Sequence, residues 1–114
     1  MPLLADLEAR FLKYLDDKSY GPVKLLREAD GVIFLCPVCF TKNNCSNVGV
    51  HSVICWFKDK VPDTLQPGPG RWNPGGTGMY DLTFVPPGMT GVKLTNPDGC
   101  GWHGHIRNGE ATLD

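Results

Sequence analysis

The sequence predicts a mainly β (α+β) domain: a small antiparallel, zinc-ribbon-like sheet with one N-terminal helix. Three observations point there. First, 14 glycines and 10 prolines among 114 residues exceed the usual combined share of about 12%, which calls for many turns and short strands. Second, short runs rich in Val, Ile, Phe and Trp alternate with turn dipeptides. Third, five cysteines include a Cys-x2-Cys, the spacing of a metal knuckle.

The elements follow in chain order. Leu4, Leu7, Phe11, Tyr14 and Leu15 recur at three- and four-residue spacing, with Asp6, Arg10, Lys13 and Asp17 largely opposite. This predicts an amphipathic helix over 3–17, stopped by Gly21-Pro22. Val23–Ala29 and Val32–Cys36 flank Asp30-Gly31 and read as a hairpin with a two-residue turn. His51–Phe57, Tyr80–Val85 and Val92–Thr95 read as three further strands. Trp102–Arg107 and Glu110–Leu113 flank Asn108-Gly109, a second tight hairpin. No second helix is needed. Two segments result: an N-terminal helix over 1–21 and a zinc-binding β region over 22–114, together one folded unit.

Residues 62–79 hold four prolines and five glycines and read as a long loop. Structureless loops of that length are uncommon in small domains and are often functional. Two roles are open to its centre. Trp72 either pins the loop to the core, or forms with Arg71 a partner-binding contact.

The composition also sets limits. A net charge of −1 gives no global basic field, so nucleic-acid binding by a zinc ribbon is an alternative that would need local charge and an exposed tryptophan. No apolar run approaches the roughly 18 residues of a membrane span. The opening MPLLADLEARF lacks a basic start and an apolar stretch, so no secretory leader is expected and the setting is cytoplasmic. There, disulfides are disfavoured and metal ligation or burial better explains the cysteines. Phosphate loops, zincin helices and nucleophile elbows are missing.

The metal set expected from spacing is Cys36, Cys39, Cys100 and His103. Cys36-Pro37-Val38-Cys39 is one knuckle, and Cys100-Gly101-Trp102-His103 repeats the two-residue gap. Three thiolates and an imidazole favour Zn²⁺ over hard cations. Cys45 is an alternative thiol ligand. A rival arrangement uses His51, His103 and His105, because a three-histidine site with an open position is a catalytic one. Cys55 reads as a small core residue within its strand.

Several blocks occur in a fixed order: Phe34-Leu-Cys-Pro-Val-Cys, His51-Ser-Val-Ile-Cys-Trp-Phe, Gly70-Arg-Trp-Asn, Gly76-Thr-Gly, Asp81-Leu-Thr-Phe and Gly99-Cys-Gly-Trp-His-Gly-His-Ile-Arg-Asn-Gly-Glu. Over roughly residues 32–112 they resemble small phage and prophage proteins that often carry an ammonia monooxygenase label. A membrane oxygenase of that kind needs spans and a copper-type ligand set, and the sequence has neither. The resemblance implies a phage origin and a host-cell setting, and agrees with a cysteine–histidine metal site. By analogy with other small phage proteins it implies a binding module acting on a host or phage protein.

Overall fold

A computed structural model describes residues 3–16, 19–42, 50–65, 70–86, 90–93 and 102–112. The chain is mostly β, and its sheets are antiparallel. Strands β1 (Arg10–Asp16), β2 (Ser19–Val23), β3 (Gly31–Leu35) and β4 (Ser52–Trp56) form one sheet in the order β2-β1-β3-β4. Strand β5 (Asn73–Gly75) pairs with β6 (Thr83–Val85). A third sheet runs β7 (Gly91–Lys93), β8 (His103–Arg107), β9 (Glu110–Ala111). The α-helix α1 spans Pro37–Lys42, and no helix among the described residues is long and apolar enough to cross a membrane.

The expected N-terminal helix over 3–17 is not formed. Leu4–Leu7 make a 3₁₀ turn with both leucines buried, and Glu8 ends it in the left-handed region at φ 53°. Residues 10–16 then run as β1, an interior strand of the four-stranded sheet, so this segment belongs to the β body rather than preceding it. An interior strand covered on both faces loses its polar alternation. Phe11 joins the main core while Leu12 and Tyr14 join a smaller cluster with Trp56 and Leu65 on the other face. The apolar residues on two faces imitate a helical stripe.

The Asp30-Gly31 hairpin is also corrected. Leu26–Glu28 is a 3₁₀ turn, and the neighbours of β3 are β1 and β4. The Asp30 carboxylate accepts the Tyr14 N–H at 2.9 Å and lies 3.9 Å from Lys13 Nζ. Gly31 leaves room for Trp56, whose ring carbon would lie 2.6 Å from a Cβ there. By contrast Asn108 and Gly109 form the expected tight turn, at φ 51° and 75°, between Arg107 and its partner Glu110.

Ladder polarity decides how the sheet ends. Tyr14 N–H and Leu12 C=O bond toward Asp30, so Phe11 and Lys13 turn their polar groups to β2. Their partners Val23 and Gly21 bond inward, which leaves Tyr20 and Pro22 facing outward on the edge. Proline has no N–H to offer, so the edge resists a further strand.

Aromatic contacts join the sheets. Phe34 meets Trp102 edge-to-face at 5.8 Å, Phe57 meets Phe84 at 6.5 Å, and Trp72 stacks on Phe84 at 5.6 Å. The segment expected as an open loop over 62–79 is tied in at several points. Residues 66–69 lie outside the described residues, but Trp72 bridges to Phe57 and Asn73–Gly75 is a strand.

Candidate metal centre

Leu35 and Ser52 are the last paired residues of the β3–β4 ladder. The next rung is Cys36 opposite His51, and the Cys36 N–H donates to the His51 carbonyl at 2.9 Å. Residues on one rung carry their side chains to the same face. For this rung it is the face of Phe34 and Val53, the core side. Pro37 then opens α1, where its fixed φ and missing N–H suit a first helical position. The Phe40 N–H donates to the Cys36 carbonyl at 2.9 Å, so Cys36 precedes the first helical turn and Cys39 returns on it.

The outcome is a cluster of two thiols and one imidazole. The ligand atoms of Cys36, Cys39 and His51 all lie within 4.8 Å of one another. Cys36 is fully buried, Cys39 half-buried and His51 exposed, so the cluster runs from the core to solvent. Two soft sulfurs and a borderline nitrogen suit Zn²⁺ better than Mg²⁺ or Ca²⁺. The Cys-x2-Cys half of the expected set is therefore brought together, on a helix start rather than in a knuckle turn.

The rest of the expected set divides. Cys100 and Cys45 lie outside the described residues. His103 is exposed on β8 opposite Lys93, and His105 is half-buried opposite Gly91. The His105 backbone N–H donates to Thr112 Oγ1 at 2.8 Å. Among the described residues the three histidines do not converge: His51 joins the two cysteines, apart from His103 and His105. His51 immediately precedes β4, whereas His103 and His105 stand on β8, in a different sheet between β7 and β9.

His51 is the member of the candidate cluster hardest to read from sequence, since no Cys-x2-Cys-type spacing marks it. Its signal lies in strand pairing. Once Val32–Leu35 and Ser52–Cys55 are set antiparallel, Cys36 and His51 become the next pair.

Cys55 is the core residue expected. It is fully buried on β4, and burial pushes its thiol far above the usual range. Trp72 faces inward and Arg71 is half-buried. The Arg71 guanidinium donates to the carbonyls of Pro62, Leu65 and Gly70 at 3.0, 2.8 and 2.8 Å. Trp72 is 8% exposed and its Nε1–H donates to the Gly91 carbonyl at 2.9 Å. The pinning role is thus the one realised for Trp72, and its ring is not offered to a partner. Trp56 and Trp102 are buried as well, so none of the three indoles is a platform for stacking a base. Comparisons with protein-family models, with curated proteins and with solved structures find no match.

Proposed function

We propose that the protein is a zinc-tied, ribbon-like binding module of phage origin, acting on a host or phage protein in the host cytoplasm. In it Cys36, Cys39 and His51 hold one structural Zn²⁺. The observation that carries the metal reading is the mutual approach of the three ligand atoms within 4.8 Å. With Zn–S near 2.3 Å and Zn–N near 2.0 Å, tetrahedral donors lie roughly 3.5–3.8 Å apart, so a small inward shift of side chains is enough. The expected ligand set offers a further thiol, Cys100, with Cys45 as its alternative, and a fourth protein donor of that kind would close the site and make it structural rather than catalytic.

Such an ion joins the end of β3, the start of α1 and the start of β4. In zinc-finger peptides, which have little core of their own, a structural zinc supplies about 10–16 kcal/mol of apparent binding energy at pH 7; here the sheets bury a core of their own, so a smaller part of the stability rests on the ion. The partner reading is supported by the near-zero net charge and by the burial of all three indoles, which both favour a protein over a nucleic acid, and by the phage resemblance.

Elemental analysis of purified variants is the test. The expected result is about one zinc per chain, lost in Cys36→Ser and His51→Ala and kept in His103→Ala and His105→Ala. Loss of metal in His103→Ala with retention in His51→Ala would return the site to the C-terminal knuckle. Zinc-loaded and chelated protein are then compared in capture from host lysate. A partner held equally by both separates binding from the metal and overturns the module.

A further inference from the structure

The two edges of the four-stranded sheet differ. On β2 the outward positions are Tyr20 and Pro22, and the proline blocks that edge. On β4 the polarity is set by the bonds at its two ends, from the Cys36 N–H to the His51 carbonyl and from the Phe57 N–H to the Asp30 carbonyl, at 2.9 and 2.8 Å. Bonded and non-bonded rungs alternate along an antiparallel ladder. Val53 and Cys55 therefore bond to β3, whereas Ser52, Ile54 and Trp56 turn their N–H and C=O groups outward. Trp72 meets the far end of this edge: its N–H donates to the Trp56 carbonyl at 3.2 Å, and its carbonyl accepts the Lys58 N–H at 2.8 Å. Among the described residues nothing pairs with the outward groups of Ser52 and Ile54. The strand reads Ser-Val-Ile-Cys-Trp, with neither the proline nor the charge that commonly guards an edge.

We propose that β4 takes an extended segment of a partner protein as an added antiparallel strand over Ser52–Ile54. This deepens the binding-module reading and rests on it for the existence of a protein partner, though not on the metal. Partner residues opposite Ile54 and Ser52 exchange both backbone bonds with them. Side chains on one rung share a face, so the rung at half-buried Ile54 calls for an apolar residue and the rung at exposed Ser52 for a Ser or Thr. Antiparallel order makes the partner segment apolar-x-hydroxyl from its N-terminal side. A second copy of this chain fits less well. Pairing Ser52 with Ile54 across a two-fold axis would set the second copy's Val50 opposite Trp56, whose carbonyl Trp72 already holds. A separate segment is free to turn away before that point.

The probe is acetyl-Lys-Val-Gln-Thr-Lys-amide, with its Val to face Ile54 and its Thr to face Ser52. It is titrated into ¹⁵N-labelled full-length protein and followed by amide chemical shifts. The expected result is saturable shifts centred on Ser52 and Ile54, whose amides exchange fast in the free protein and slow on binding. Methylating the Val and Thr nitrogens of the peptide, whose N–H groups face β4, weakens binding about tenfold or more. Methylating the Gln nitrogen, which faces away, leaves binding unchanged. Ser52→Pro removes an outward N–H while the β3 ladder keeps its bonds, and it abolishes the shifts; Ser52→Ala binds as the parent does. The proposal is overturned by slow exchange at Ser52 and Ile54 in the free protein, by shifts that do not saturate, or by equal binding of the two methylated peptides. Shifts at these residues that grow with protein concentration alone would overturn it in favour of a second copy. A lysate partner held equally by Ser52→Pro and the parent keeps the module and removes this edge from it, whereas peptide binding with no captured partner keeps the edge and removes the module.

Discussion

Cys36 and His51 occupy one rung at the end of the β3–β4 ladder, joined by the Cys36 N–H to His51 carbonyl bond at 2.9 Å. Two members of the candidate ligand cluster that are distant in sequence are therefore placed by backbone pairing. The third, Cys39, is placed by the first turn of α1. Strand pairing and a helix start bring these three together, so much of the entropy cost of the site belongs to folding of those elements.

Removing the metal should weaken the protein without erasing its secondary structure, since most of the core lies away from the cluster. Loss of about 3 kcal/mol or more, at roughly 4 °C per kcal/mol for a chain of this size, lowers Tm by about 10 °C or more after strong chelation. The β-type far-UV circular dichroism below the transition persists. A melting curve unmoved by chelation would remove the structural metal.

Thiol chemistry separates the cysteines. Burial raises the Cys55 thiol far above its ordinary value, so it stays protonated and inert. Labelling native protein at pH 8 with a disulfide reagent, then mapping peptides, should find Cys55 unmodified. Chelation should speed labelling of Cys36 and Cys39 and leave Cys55 protected until global unfolding. Early labelling at Cys55 would mean that β4 opens locally.

The distribution of what sequence could reveal has physical causes. Turns fixed by backbone sterics were legible: Asn108-Gly109 needs positive φ at both residues, and few other dipeptides supply it. The Cys-x2-Cys pair was legible because its geometry is local. What failed depended on strand order. The apolar spacing of Leu4, Leu7, Phe11 and Tyr14 fits a helix, yet β1 is interior and apolar on both faces, where period two is hidden. Asp30-Gly31 fits a turn, but its carboxylate caps a ladder and its missing Cβ seats Trp56. His51 needed knowledge of which strands pair.

Trp72 and Arg71 tie down the 62–79 segment and should matter for stability in unequal degree. Trp72 is buried against Phe84, so Trp72→Ala is expected to cost about 3–5 kcal/mol. Arg71 sits half-exposed and donates to several carbonyls, so Arg71→Ala should cost about 1–3 kcal/mol. Urea melts of both variants provide the comparison. A Trp72→Ala protein within about 0.5 kcal/mol of the parent would mean that the segment is not held by its indole.

Asp81 should give the fold a sensitivity to acid. Thr77 donates to its carboxylate from both N–H and Oγ1, at 2.9 and 2.8 Å, and the Gly78 N–H donates at 2.8 Å. These bonds, the Thr77 N–H first, hold the carboxyl below the usual carboxylate range. A carboxyl whose folded pKa lies below its unfolded one stabilises the fold above the unfolded value, about 3.9. That contribution is lost as pH falls through the folded value. Asp81→Asn should thus be less stable than the parent at pH 6, with the gap narrowing toward pH 2. A gap that stays constant with pH would assign the turn to its backbone alone.

The sharpest packing prediction concerns Gly104 on β8. The Trp102 Nε1–H donates to the Thr112 carbonyl at 2.9 Å, and this bond passes directly over Gly104. A Cβ there would overlap the Thr112 carbonyl oxygen and lie 2.8 Å from Trp102 Nε1. Trp102 is fully buried and meets Phe34, two residues before Cys36, so the indole cannot swing aside without opening the core beside the cluster. Gly104→Ala must then either shift the backbone, at about 1–3 kcal/mol for overpacking, or leave a buried indole N–H without its acceptor, at about 1–3 kcal/mol. The expected total is about 2–5 kcal/mol, a large part of a domain's stability. Gly78→Ala is the control, because a Cβ there meets nothing within 4 Å and should change stability by about 0.5 kcal/mol or less. Thermal and urea melts of the two variants, with tryptophan fluorescence as the probe, decide it. A Gly104→Ala protein as stable as the Gly78→Ala control would mean that the β8–β9 hairpin can move away from Trp102 at little cost.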